Sequence, residues 1–169
     1  PTASRVAALR NPGALGDPAA NWGSLLEAEA LALGVTLESY HVQDLTELER
    51  AFAAMAKARP QALLVVPSPF FSLHSNRIVE LAARLRLPAM YPDREDVEAG
   101  GLMAYAVDYL EIARGVAVYV DRILRGANPG ELPVEQPTGF KLILNLKTAK
   151  ALGLTIPPAL LIQAEEVIR

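Results

Sequence analysis

The sequence contains no cysteine, and in 169 residues it has two histidines, one tryptophan and only 6% aromatic residues. The first absence excludes disulfides, thiolate catalysis and cysteine-ligated metals. It says nothing about compartment, because an exported bacterial protein can do without disulfides. His41 and His74 are far apart and have no carboxylate or second histidine at ligand spacing, so no metal site is expected. No apolar run approaches the roughly 18 residues that a membrane-spanning helix needs. The opening stretch PTASRVAALRNPG is polar and then strand-like, without a basic region and apolar signal core. This fits either a cytosolic chain or a piece of something longer. A net charge of -3 gives no field for gathering nucleic acid or anionic lipid.

What is present is the makings of a core. Apolar residues are 51% and charged residues 21% of the chain, and a domain of this length buries roughly 68–70% of the surface of its unfolded chain. Strand-like runs alternate with helical patterns. Arg5–Arg10 reads as a strand stopped by Asn11-Pro12-Gly13, and a helix from about Pro18 to Leu33 is closed by Gly34. Val35–Val42 alternates like a second strand. Asp44-Leu-Thr-Glu47 has the capping-box pattern and opens a helix whose Leu45, Leu48, Phe52, Met55 and Ala56 share a face. Ala62–Val66 is fully apolar, as in a parallel strand covered on both sides. Ser75 is placed to cap a helix presenting Ile78, Leu81, Ala82 and Leu85. Leu87–Tyr91 supplies a fourth strand and Leu102–Ala106 a fifth. This order predicts an α/β fold with a parallel doubly wound sheet.

The pattern changes at Asp108, dividing the chain into an α/β unit over 1–107 and a return region over 108–169. A helix to about Arg125 carries Leu110, Ala113, Val116, Ala117, Val120, Ile123 and Leu124 on one broad stripe, which needs a large partner surface. A proline-punctuated connection, Asn128–Pro137, leads to a strand at Phe140–Leu146. A short helix over Lys147–Leu152 follows, and Pro157-Pro158 opens a last helix over Ala159–Ile168.

Leu132–Pro158 (LPVEQPTGFKLILNLKTAKALGLTIPP), followed by AEEVI at 164–168, closely resembles the carboxy-terminal signature of one family of bacterial ABC transporter substrate-binding proteins, the family that includes tryptophan- and tyrosine-type binding lipoproteins. EAGGLMAYAVD at 98–108 and the opening strand with Asn11-Pro12 agree with it. The resemblance implies a two-lobed, type I periplasmic-binding-protein fold that closes on a small solute and delivers it to a membrane permease. This chain would supply lobe two and the crossover segments, with lobe one missing. It also implies a periplasmic or membrane-anchored extracellular place for the intact protein, no cofactor and no catalysis. Two departures are the glycine-bearing loop Gly13-Ala-Leu-Gly16 and Gly139, where a longer polar side chain is expected.

In open α/β sheets ligands lie beyond the carboxyl ends of the strands. That rule selects Asn11, Ser68 with Phe70, Tyr91, and Tyr105 with Asp108. An amino-acid-like solute needs a carboxylate for its ammonium, donors for its carboxylate and aromatic walls. Asp108, Ser68 with nearby backbone amides, and Phe70, Tyr91 and Tyr105 are of the right types. Each also has a structural reading: Asp108 as a helix cap, Asn11 as a turn residue, and one of Phe70 and Phe71 as core, since neighbours in extended chain alternate.

The remaining chemistry is sparse. Gly13-x-x-Gly16 lacks the Lys-Ser/Thr of a phosphate loop. Arg94-Glu-Asp96 and Glu165-Glu166 read as solvated helix charges, and Lys147 with Lys150 as an exposed helix face. Two other classes stay open. A self-sufficient flavodoxin- or receiver-type domain is one, although the acidic residues of a receiver are absent. A small α/β enzyme is the other, without a recognisable triad, nucleophile elbow or metal cluster.

Overall fold

The computed structural model describes residues 3–12, 19–136 and 139–169; the Gly13–Gly16 loop, Pro18 and Pro137 lie outside them. Strand β1 (Arg5–Arg10) leads through helix α1 (Ala19–Ala32) to β2 (Thr36–His41). Helix α2 (Leu45–Ala58), β3 (Ala62–Val65), α3 (Pro69–Leu73) and α4 (Ser75–Arg84) follow, then β4 (Ala89–Tyr91), α5 (Arg94–Glu98) and β5 (Met103–Val107). The return region holds α6 (Tyr109–Leu124), a 3-10 turn at Pro129–Glu131, β6 (Phe140–Asn145), α7 (Leu146–Leu152), α8 (Pro158–Gln163) and β7 (Glu166–Ile168).

The strands form one sheet in the order β2-β1-β3-β4-β5-β6-β7. β1 to β5 are parallel, the expected doubly wound arrangement, with the chain reversing direction across the sheet between β1 and β3. β6 runs antiparallel to β5. A parallel strand would have to re-enter from the opposite edge. Here α6 leaves from the carboxyl end of β5 and the connection returns to that same edge, where the Asp108 amide donates to Gly139 O at 3.0 Å.

One face of the sheet is densely packed. Ala7, Leu9, Leu63, Val65, Ala89, Tyr91, Ala104, Ala106 and Ile143 meet Leu48, Phe52 and Met55 of α2, Phe71 of α3, Ile78 and Leu81 of α4 and Val97 of α5. In α2 the expected face rotates toward Ala51, while Leu45 and Ala56 stay exposed. Its start follows the sequence pattern: Glu47 N donates to the Asp44 carboxylate at 2.8 Å, and the Glu47 carboxylate reaches back to Gln43 N. The other face is thinner. Tyr105 and Phe140 there are 52% and 45% exposed.

Four expectations need correcting. Ser75 does not cap α4; His74 stands at the cap position, and the Ser75 hydroxyl donates to Asp96. Ser68 instead caps α3, so Phe70 and Phe71 sit on a helical turn rather than in extended chain. Asp96 is not a solvated charge: it is buried and closes a reciprocal capping box with Asp93. The last helix stops at Gln163, because Glu165 N donates to Leu142 O and the β-branched Val167 and Ile168 extend the sheet beside β6.

The opening of α7 was not legible as a cap in the sequence. Asn145 is buried, its carbonyl oxygen accepts from Thr148 N at 3.1 Å, and its amide donates to Val97 O at 3.1 Å. One side chain thus starts a helix and ties the return region to α5.

Helix α6 has the predicted stripe and almost nothing to cover it. None of its residues is buried, and Leu110 and Leu124 are 66% and 81% exposed. The helix is held by its Asp108 cap and by the Tyr119 hydroxyl, which donates to Pro133 O in the returning connection.

Candidate functional site

The carboxyl ends of β1, β3, β4 and β5 lie side by side along one edge of the sheet, with the switch point between β1 and β3. Asn11 follows β1, and its side-chain amide donates to Val42 O at 2.6 Å, latching the ends of β1 and β2 together. Across the switch point the Ser68 hydroxyl accepts from Phe70 N and Phe71 N at 3.1 and 3.4 Å. Ser68 is buried by that role. Phe70 is half-buried, set edge-on to Phe71 and His74.

Tyr91 goes the other way. It is 3% exposed and its ring lies beneath Gly101, so it is a core side chain rather than an open aromatic wall. Burial, reinforced by the Asp96 charge, pushes its phenol far above the ordinary range.

Tyr105 and Asp108 meet the return region. In the antiparallel register Tyr105 faces Leu142, two residues from Phe140 on the same side of the sheet. The Tyr105 and Phe140 rings stack nearly parallel, 5.3 Å apart at 7°. Asp108 accepts from Leu110 N and Glu111 N at 3.0 and 3.2 Å, and pairs with Lys141 Nζ at 2.8 Å. The cap reading of Asp108 is therefore realised. Its carboxyl is held below the ordinary range by the Lys141 hydrogen bond, with backbone donors assisting. Gly139 sits close beneath this corner: a Cβ there would fall 1.6 Å from the Glu111 carboxylate and 3.5 Å from Asp108 Cβ. Glu111 is exposed and its carboxylate is the far end of a flexible side chain, so a larger residue at 139 would displace it rather than bar the returning chain.

On the sheet face opposite to Tyr105, Lys141 and Asp108 border a depression of about 350 Å³ shared with Arg94, Tyr109 and Glu166. Arg94 forms a two-pronged pair with Glu166, both contacts at 2.8 Å, and reaches Glu98 at 2.6 Å. The Asp93 carboxylate raises the Tyr109 phenol, which brings the loop after β4 to this corner. Glu166, in strand β7, is pulled below its usual value by Arg94.

These pairs carry a pH prediction. A carboxylate whose folded pKa is depressed adds stability above its unfolded value and loses it as pH falls through the folded one. The ordinary values of Asp108 and Glu166 are 3.8 and 4.5. Their contribution is complete above that range and fades below it, while Asp96, raised by burial, works in the opposite sense. Thermal unfolding of the Asp108→Asn/Glu166→Gln double variant should fall less steeply than wild type as pH drops below 4.5. Equal slopes would remove these pairs from the account.

The structure thus places Tyr105 and Asp108 at the end of the same strand with their partners on opposite faces of the sheet, sets Asn11 and Ser68 at the switch point with Phe70 beside it, and removes Tyr91 to the core. Sequence reasoning missed Phe140 and Lys141, whose positions depend on the antiparallel register. It also missed Arg10, a buried cation at the end of β1 beneath α1, where a Cβ on Gly23 would meet its guanidinium at 2.3 Å. An arginine following the apolar run 6–9 of β1 was the available signal. Among the described residues no cluster of side chains is suited to a metal, and no helix is long and apolar enough to cross a membrane.

Comparison with known proteins follows the same lines. A family model described as ABC transporter substrate binding protein matches residues 1–168. A conserved domain protein from Vibrio cholerae superimposes with a TM-score of 0.87 at 26% identity, covering 99% of this chain and 55% of the other. An ABC domain from Streptococcus pneumoniae, solved in complex with L-Trp, gives 0.86 at 24% identity over 98% of this chain and 55% of its own. A ligand-free, open substrate-binding protein with adhesive properties from Clostridium difficile gives 0.72 at 17% identity, with 99% and 55% covered. The chain thus spans about half the length of these structures. No curated protein matches it significantly.

Proposed function

The chain belongs to the ABC transporter substrate-binding protein family, and from that premise we propose that it forms one wall of the interlobe cleft of a bacterial solute-uptake component. The solute is small and amino-acid-like. It lies against the carboxyl edge, where Asp108 receives an ammonium group, Tyr105 stacked on Phe140 presents an apolar wall, and Ser68, Asn11 and Phe70 border the far end. The observation that carries this reading is the exposed aromatic stack on one face of β5 and the ion-paired carboxylate at the end of the same strand, both at the edge where doubly wound sheets bind ligands. The L-Trp complex of the Streptococcus protein supports the choice of solute class. The protein binds and hands on its solute to a permease without catalysis, and works in the periplasm or anchored outside the membrane.

The coverage of about half of each structural relative supports a further part of the proposal: a second lobe completes the cleft and covers α6. Half a cleft supplies half the contacts. Titration calorimetry with a panel of amino acids should therefore be flat for this chain, and should show saturable heat for a protein that carries both lobes. No response from the two-lobed protein to any amino acid would refute the solute class.

Without that second lobe, Leu110, Val116, Val120 and Ile123 leave an apolar stripe that water solvates poorly. Two copies are expected to associate through it. Light scattering at tens of micromolar should report a dimer, and Val116→Glu/Val120→Lys should return it to monomer. A clean wild-type monomer would sink this part of the proposal.

A further inference from the structure

At the opposite edge of the sheet, where β4 and β5 begin, α4 and α7 stand apart over the turn that enters β5. A cavity of about 380 Å³ opens between them. Its walls are apolar, made chiefly by Val79, Ala82, Leu87, Leu102, Leu152 and the ring of Tyr91. Gly101 keeps it from being pinched differently: a Cβ there would lie 2.7 Å from both the Asp96 carbonyl and the Tyr91 ring, so the turn can press directly onto the tyrosine. Volumes of this order are ordinary for small-molecule sites.

The rim of this cavity is cationic. Arg86, in the turn that follows α4, and Lys147 of α7 border it. Arg86 adopts a left-handed φ of 52°, a conformation that is unfavourable for a non-glycine residue. In this conformation its guanidinium donates to Ala151 O across the gap at 2.9 Å. Neither cation has a carboxylate at ion-pair distance among the described residues, a condition they share with several other exposed cations, so the charge at the mouth is not neutralised by a side chain. The Thr148 hydroxyl is already committed to Gly100 O at 2.8 Å. The cavity therefore offers apolar contact within and positive charge at its mouth.

We infer that the cavity between α4 and α7 is a second binding site, for a small monocarboxylate with an aromatic or branched apolar body. The body fills the cavity against Tyr91 and Leu102, and the carboxylate rests at the mouth between Arg86 and Lys147. A free amino acid is disfavoured, because its ammonium would face the same two cations. The site is thus chemically distinct from the proposed cleft and stands whether or not that cleft binds amino acids.

Phenylacetate is the probe, followed through the backbone amides of Gly100, Gly101 and Thr148 by two-dimensional NMR at low salt. A ligand of this size in a half-open site should saturate at about millimolar concentration. Phenylethanol, of the same shape without charge, and phenylalanine should bind more weakly. Lys147→Glu, at an exposed position, should weaken phenylacetate by at least about two- to fivefold, the effect of removing one surface charge pair. Ala83→Trp, at the rim, should fill the cavity and abolish the shifts, and the unchanged remainder of each spectrum reports that both variants fold. Absence of shifts at those amides, equal binding of phenylethanol, or shifts centred on Tyr105 and Asp108 instead would each overturn the inference.

Discussion

Phe71→Ala is expected to remove about 3–5 kcal/mol of stability, a large part of what a domain of this size possesses. Phe71 is 1% exposed and is the largest fully buried side chain in the core. It projects from the five-residue helix α3, too short to persist alone, whose first turn is fastened by the Ser68 hydroxyl. Truncation leaves a cavity that neighbours on α2 and the sheet cannot fill without shifting. Phe70, next in the chain and half-buried, should lose less than half as much on the same change. Urea unfolding of the two variants measures the difference. Equal losses would mean that α3 does not orient the pair as described.

The second large effect concerns binding. In a protein carrying both lobes, Asp108→Asn should weaken an amino-acid-like solute by about 2–5 kcal/mol, roughly 30-fold or more, because a cleft carboxylate paired to an ammonium group is lost. Asparagine caps helices about as well as aspartate, so the bonds to Leu110 N and Glu111 N can persist. The lost Lys141 pair is exposed on the lysine side, and pairs of this kind add little to stability. Affinity should therefore collapse while the melting temperature barely moves. An analogue lacking the ammonium should bind wild type and Asp108→Asn alike. If affinity and melting temperature instead fall together, Asp108 is a cap and no more.

The parts of this fold legible in the sequence are those decided locally. Apolar runs, their turn residues and the Asp44–Glu47 cap placed β1 to β5 and α2, and the same kind of pattern placed β6 and α7. What was not legible depends on partners distant in the chain. Asp96 looked like one of a row of surface charges until Ser75, twenty-one residues away, donated to it. Residues 164–168 looked helical until β6 offered an edge to pair with. Tyr91 looked like a cleft aromatic because strand ends point both ways, and only the packing of Gly101 against its ring decides the side. The aromatic stack needed the β5–β6 register, which aligns Val107 with Phe140 and so sets Phe140 diagonally across from Tyr105.

The α6 stripe is a different case. It was fully legible as an amphipathic helix, and the structure leaves it uncovered. Such a face has meaning only with a partner surface, and the proposal supplies one in the second lobe.

The central claim is that the carboxyl edge at Tyr105, Phe140 and Asp108 is a solute-binding wall. A crystal structure of the two-lobed protein with bound amino acid tests it most directly. The account predicts the solute's ammonium within hydrogen-bond reach of Asp108 and its side chain against the Tyr105–Phe140 stack. A solute held elsewhere, with Asp108 still engaged only by Lys141 and the first turn of α6, would contradict it.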